Sequence, residues 1–276
     1  MGFDISAGNL ALLAAGLVAG GLVMGFLAGL FGIGGGGVIV PVLYELFRLL
    51  AVPDETRMQL AVGTSLAVIA PTALRALSAH RAKGAVEVAV VRRLGLWVVL
   101  GVGLGIALAR LAPGSLFKWV WVIFSIAMVA KLVLAREDWR LGAEFPRSPL
   151  IGAYGVLVGF LSTLLSIGGG AFISTLMMLY NRPITTAVGT SSAFGPLIAI
   201  PGAIGFGWAG WGQAGLPPLS LGYVNLLGVA LVVPLSVLAA PYGVRAAHGI
   251  PKRALELAFA AFLGLVGLRF AWSLFA

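Results

Sequence analysis

Two glycine clusters hold the residues best suited to chemistry in this chain. The first is the stretch "FGIGGGG" (31–37) and the second is "LSIGGGA" (165–171). Glycine exposes its backbone N–H and adopts positive φ without steric cost. A helix that starts just after such a cluster presents unpaired N–H groups and about half a positive charge, which makes an anion site. Gly34, Gly35, Gly36, Gly168, Gly169 and Gly170 are the backbone candidates for binding a substrate anion. Hydroxyls can donate to an oxyanion without adding charge. Thr64 and Ser65 follow the first cluster in "AVGTS", and Thr190, Ser191 and Ser192 follow the second in "AVGTSS". Arg75, one turn after Pro71, adds a cation that either attracts an anion or snorkels to an interface. Ser162, Thr163 and Ser166 are weaker candidates, because the first half has Ala28, Gly29 and Gly32 in their places.

A plainer account exists for each group. Glycines in membrane helices allow close helix packing, and Ser or Thr often bonds back to the preceding helical turn. Packing suffices for "GVGLG" (101–105). Three or more contiguous glycines exceed what packing needs, and their recurrence at matching positions favours a shared binding role.

The elements that position these residues follow from composition. The 276 residues are 60% hydrophobic and 10% charged, with a mean hydropathy of +1.07. Soluble domains are about 45–50% apolar and about a quarter charged. Apolar runs of 18 residues and more cross about 30 Å of hydrocarbon as helices, so the chain reads as an all-α polytopic membrane protein. The net charge of +9 does not imply nucleic acid, because the basic residues cluster in short connections, where they set topology. The absence of cysteine excludes disulfides and thiolate metal sites. His80 and His248, both placed in basic connections, do not suggest a metal centre, and no cofactor is expected. "MGFDIS" has no basic n-region and does not read as a cleaved signal peptide.

The chain is internally duplicated. Residues 25–44 align without a gap on 159–178, and "AVGTSLA" (61–67) aligns on "AVGTSSA" (187–193). Matching glycine-interrupted segments in two halves point to a transporter's binding site. The expected first repeat is 1–135, the linker 136–148 and the second repeat 149–276. In the first, helices are expected over 9–31, 38–50, 58–80, 86–110 and 115–135. In the second they are expected over 149–167, 171–180, 184–206, 219–245 and 251–274. Arms 38–50 and 171–180 are only about 15–20 Å long at 1.5 Å per residue, too short to cross comfortably. Each glycine cluster is then the tip of a re-entrant hairpin, followed by three spans.

Charge sets the orientation. The connections 80–93, 136–147 and 245–253 are basic and belong in the cytoplasm, whereas the uncharged 207–220 belongs outside. Repeat equivalents 80–93 and 207–220 thus lie on opposite faces, so the halves are inverted and both termini lie outside. Arg110 and Lys118 fit this topology poorly, since it places their connection outside. Lys131 and Arg269 match between repeats and read as snorkelling residues near helix ends. Glu45 reads as interfacial, as do Trp208 and Trp211.

The duplicated "GIGGG … VGTS" pattern resembles the TauE/SafE family over almost the whole chain. The likeness rests on Gly32 to Gly36 with Gly63, Thr64 and Ser65, and on Ile167 to Gly170 with Gly189, Thr190 and Ser191. It implies a bacterial inner-membrane permease that exports a small anion such as sulfite or an organosulfonate. With the cell interior negative, anion export is downhill by about 2.3 kcal/mol per charge per 100 mV. No carboxylate sits mid-span to couple protons. Cation-coupled uptake of sulfate, thiosulfate or a small carboxylate is the alternative, and an anion channel is another. No HExxH, acid pair or Ser–His dyad suggests an intramembrane enzyme.

Overall fold

The computed structural model describes residues 7–31, 36–134, 141–142, 145 and 150–275. Gly34, Gly35 and most of the linker expected over 136–148 lie outside the described residues. The helices are Ala7–Phe31 (α1), Gly36–Leu49 (α2), Asp54–Ala82 (α3), Val88–Leu111 (α4) and Gly114–Leu134 (α5) in the first half. The second half has Leu150–Leu165 (α6), Gly170–Leu179 (α7), Ile184–Ser192 (α8), Phe194–Ala209 (α9), Leu226–His248 (α10) and Lys252–Phe275 (α11). Two short strands, Ser220–Leu221 (β1) and Val224–Asn225 (β2), precede α10.

Among the described residues, six helical runs are long and apolar enough to cross a membrane: Asp54–Ala82, Val88–Leu111, Gly114–Leu134, Ile184–Ala209, Leu226–Gly243 and Arg253–Phe275. Their outward faces carry exposed Leu96, Leu100, Leu104, Ile123, Ile126, Leu265 and Leu268, while Phe117, Trp121, Phe194, Phe206 and Phe270 fill the interior. Apolar residues on both faces suit a lipid surround. The chain is an all-α multi-pass membrane protein.

Two expected elements differ. The span expected over 184–206 is interrupted at Ala193, between α8 and α9. Pro196 causes the break: its ring opposes the carbonyl four residues back, at Ser192, and it offers no N–H to that carbonyl. The helix expected from 219 starts only at Leu226. Residues 220–225 form a hairpin with Ser220 opposite Asn225 and Leu221 opposite Val224, turned by Gly222 at φ +54°. Asn225 then caps α10, its Oδ1 accepting the Gly228 N–H at 2.7 Å.

Helix pairing is reciprocal between the halves. α1 packs on α10, and its sequence counterpart α6 packs on α4, the counterpart of α10. α3 packs on α9 and α5 on α11. Small residues allow the two crossings. A Cβ on Gly25 would overlap Ser236 backbone, and one on Gly243 would overlap Phe26 backbone. A Cβ on Gly159 would overlap Val98 backbone, and one on Gly101 would overlap Val156 backbone. These are contacts that only glycine permits; within "GVGLG" the expectation holds at Gly101 and Gly105, whereas a Cβ on Gly103 meets nothing within 4 Å.

Candidate functional site

The two glycine segments meet. Gly36 opens α2 against the Ser166 carbonyl of the other segment, so closely that a Cβ there would overlap it. Ser166 itself stands at φ +51°, and its hydroxyl donates to Ser65 Oγ on α3 at 2.9 Å. Gly169 precedes α7 in the left-handed region, φ +71°. A side chain at Gly169 would also meet Ile198 Cδ1 at 2.8 Å. Its face is thus turned to α9.

A cavity of about 600 Å³ lies beside this junction, within the usual range for small-molecule sites. Its walls run along α3 from Val68 to His80, along α5 from Met128 to Leu132 and along α7 from Gly170 to Met178. Of the expected residues, Gly168, Gly170, Ser191 and Ser192 line it. The Ser191 and Ser192 hydroxyls donate back to Val188 and Gly189 carbonyls at 2.9 and 2.6 Å. To serve a ligand as donors they must rotate away.

The structure sets Thr64, Ser65, Thr190 and Arg75 apart from these walls. Thr64 Oγ1 accepts the Asn225 N–H at 2.9 Å, and Thr190 Oγ1 accepts the Glu87 N–H at 2.9 Å. Beside them, Gly63 lets the Tyr223 carbonyl approach and Gly189 lets the Ala85 carbonyl approach. The repeated "VGTS" is a clamp on the chain entering α10 and α4. Ser65 is fully buried under Ser166. Arg75 lies on an exposed face of α3.

Sequence reasoning passed over two wall residues. Lys131, read as a snorkelling residue, faces the cavity and donates to Thr175 Oγ1 at 2.6 Å. His80, assigned to a connection, belongs to α3 and lines the same space. Among the described wall residues there is no carboxylate, and none of the described carboxylates forms an ion pair with Lys131. The match of Lys131 with Arg269 between repeats was the available signal.

A multi-pass helical protein with a substrate-sized cavity among its helices, lined in part by a lysine, fits the class of small-molecule membrane transporters. Residues 17–270 match the family described as sulfite exporter TauE/SafE, and the chain belongs to that family. It is 34% identical to a probable membrane transporter protein of Haemophilus influenzae, over 90% of this chain and 94% of that one. It is 26% identical to a probable membrane transporter protein of Methanocaldococcus jannaschii, over 91% and 93% of the two chains. With YdhB of Bacillus subtilis, also a probable membrane transporter protein, it shares 25% identity over 89% and 95%. No solved structure matches the chain. The chain is a membrane transporter.

Proposed function

We propose that this transporter exports a small anion of the sulfite or organosulfonate class across the bacterial inner membrane. One observation carries the reading: the cavity beside the glycine junction holds Lys131, and no carboxylate among its described walls neutralises that charge. The backbone of Gly168 and Gly170 at the start of α7 adds the N–H groups and dipole of a helix N-terminus on the same wall. Ser191 and Ser192 supply hydroxyls, Gly36 of the opposite segment meets Ser166 at the junction, and Gly34 and Gly35 remain candidates from the sequence alone.

The two halves, 1–135 and 149–276, work as inverted repeats, each a re-entrant hairpin with three spans. The reciprocal pairing of α1 with α10 and of α6 with α4 supports this, as does the length of α7, about 15 Å at 1.5 Å per residue. The basic connections face the cytoplasm and both termini face outward. The cavity then opens toward the cytoplasm, because it approaches the basic end of α3 at His80. Membrane potential drives the anion outward.

The test is current from purified protein on a solid-supported membrane, challenged with sulfite, sulfoacetate, sulfate, thiosulfate and acetate. Anion-dependent current lost in Lys131→Gln supports the reading, and current unaffected by that change overturns it. Cation-coupled uptake is favoured by a separate observation, His80 in the cavity wall, since imidazole serves proton transfer near neutral pH. Current that requires a pH gradient and loses that requirement in His80→Gln selects uptake.

A further inference from the structure

A second charged hollow lies at the opposite end of the molecule. It is an open groove of about 700 Å³ between the last turn of α2, the first turn of α3 and the last turns of α11. Asp54 lines this groove and His80 lines the cavity. They are separated by about 40 Å along α3, at 1.5 Å per residue. A chain of aromatic contacts separates the two spaces: Tyr44 on Phe270 at 5.1 Å, Phe270 on Trp121 at 5.7 Å, Trp121 on Phe124 at 5.9 Å and Phe124 on Phe172 at 6.2 Å.

The groove's charges divide into two groups. Asp54 is engaged by Lys118 at 2.6 Å and Arg57 at 2.9 Å. Arg57 is further used by the Val52 carbonyl, which accepts from Nε and Nη2 at 3.0 and 2.7 Å. Glu45 is held differently. Its Oε2 accepts from Arg48 Nε at 2.7 Å. Its Oε1 lies 2.8 Å from Arg269 Nε, an ion-pair contact without an aligned hydrogen bond. Both arginines meet the carboxylate through Nε. Among the described residues, their Nη groups have no hydrogen-bond partner.

We infer that Arg48 and Arg269 form an outer binding site for a small oxyanion, and that Glu45 occupies it as a tethered carboxylate when no anion is bound. Two guanidinium groups on either side of one carboxylate make the donor set that recognises oxyanions by paired N–H bonds. Among the charged residues lining the groove, Arg48, Arg57 and Arg269 stand against Asp54, which leaves its wall positive. Arg269 is also the repeat counterpart of Lys131, so each end of the molecule holds an equivalent cation. Competition from Glu45 keeps the outer site weak, as release to that face requires. The role in release rests on the anion reading above, whereas the binding itself does not.

The test is titration of the purified full-length protein with sodium sulfate at matched ionic strength. Glu45→Gln strengthens sulfate binding about tenfold, and the gain disappears in Glu45→Gln with Arg269→Gln and in Glu45→Gln with Arg48→Gln. It persists when Lys131→Gln is added. A gain from Glu45→Gln that persists with Lys131→Gln supports the outer site, and if Lys131→Gln alone also leaves sulfate binding unchanged, the cavity reading falls while the outer site stands. No gain from Glu45→Gln, or a gain that survives loss of Arg269, overturns the outer site and leaves the cavity untouched. Because charge variants can misfold, a second measurement retains the whole charge set. The chain has no cysteine, so Ser273→Cys provides a single thiol in the groove. Sulfate slows its labelling by an anionic methanethiosulfonate if the site exists, and leaves the rate unchanged if it does not.

Discussion

Thr64 Oγ1 accepts the backbone N–H of Asn225 at 2.9 Å across 161 residues of sequence. Thr190 repeats the arrangement with the N–H of Glu87 at 2.9 Å, across 103 residues. In each case the neighbouring glycine lets a carbonyl of the incoming chain approach, Tyr223 at Gly63 and Ala85 at Gly189. The two halves of the molecule therefore hold each other through their repeated motif. Reciprocity of this kind fixes where α10 and α4 begin, and so where their glycine faces meet α1 and α6.

Replacing either threonine by valine keeps its shape and leaves an N–H without its acceptor, buried at Asn225 and partly buried at Glu87. Each change costs about 1–3 kcal/mol. Thr64→Val and Thr190→Val should each lower the melting temperature in detergent, while serine at either position retains most of the stability. The KM of whatever anion is carried should stay within about twofold of the parent value, since neither hydroxyl reaches the cavity; RT ln 2 is about 0.4 kcal/mol, small beside the stability loss. A tenfold rise in KM with unchanged melting would return the threonines to the binding site.

Gly36 and Gly37 are adjacent in sequence and unequal in space. A methyl on Gly36 overlaps the Ser166 carbonyl, whereas one on Gly37 finds Phe259 Cζ at a comfortable 3.8 Å. Gly36→Ala should force the two glycine segments apart and abolish transport. Gly37→Ala should retain transport and gain slightly in stability, by up to about 1 kcal/mol from helix propensity. Transport rate and thermal unfolding measured on the pair decide the matter. Equal losses from both would make the cluster a general need for flexibility rather than one point of contact.

Much of this arrangement was legible in the sequence. Apolar runs of span length located the long helices, because the hydrocarbon fixes both length and composition, although α10 starts at Leu226 rather than 219 and the span from 184 is interrupted at Ala193. The short helices after the glycine clusters begin near their expected starts, α2 at Gly36 rather than 38 and α7 at Gly170 rather than 171. Hidden features depended on single residues acting at a distance. Pro196 breaks its span through a clash with the fourth residue back, a local rule overlooked within an apolar run. Thr64 and Thr190 are sequence candidates for their hydroxyls and their place after each glycine cluster, while the partners they hold arrive from the other half of the chain. Lys131 near a helix end looks like a snorkelling residue until the facing Thr175 is seen.

Lys131 is expected to dominate affinity for the transported anion. A hydrogen bond to a charged group contributes about 1.5–3 kcal/mol, which corresponds to about tenfold to hundredfold in binding. Lys131→Gln should raise the KM by that factor, and Lys131→Arg should recover much of it. Arg75→Gln should change the KM less than twofold, since Arg75 lies outside the cavity; that bound is about 0.4 kcal/mol. Concentration dependence of the transport current in the three variants provides the comparison. A larger effect from Arg75 than from Lys131 would move the site along α3.

Ser166 opposes two energies of similar size. A non-glycine residue at φ +51° carries about 1–2 kcal/mol of backbone strain. Its hydroxyl contributes about 1 kcal/mol through the bond to Ser65. Ser166→Ala keeps the strain, deletes the bond and leaves Ser65 buried without that partner, so its melting temperature should fall. Ser166→Gly deletes the bond and relieves the strain, so it should melt close to the parent protein. The order glycine above alanine, measured in one detergent, separates the two terms. The reverse order would mean that the left-handed conformation costs little here and that the hydroxyl contributes more than a single bond. In that case the link between the second glycine segment and α3 would be the stronger constraint on the junction.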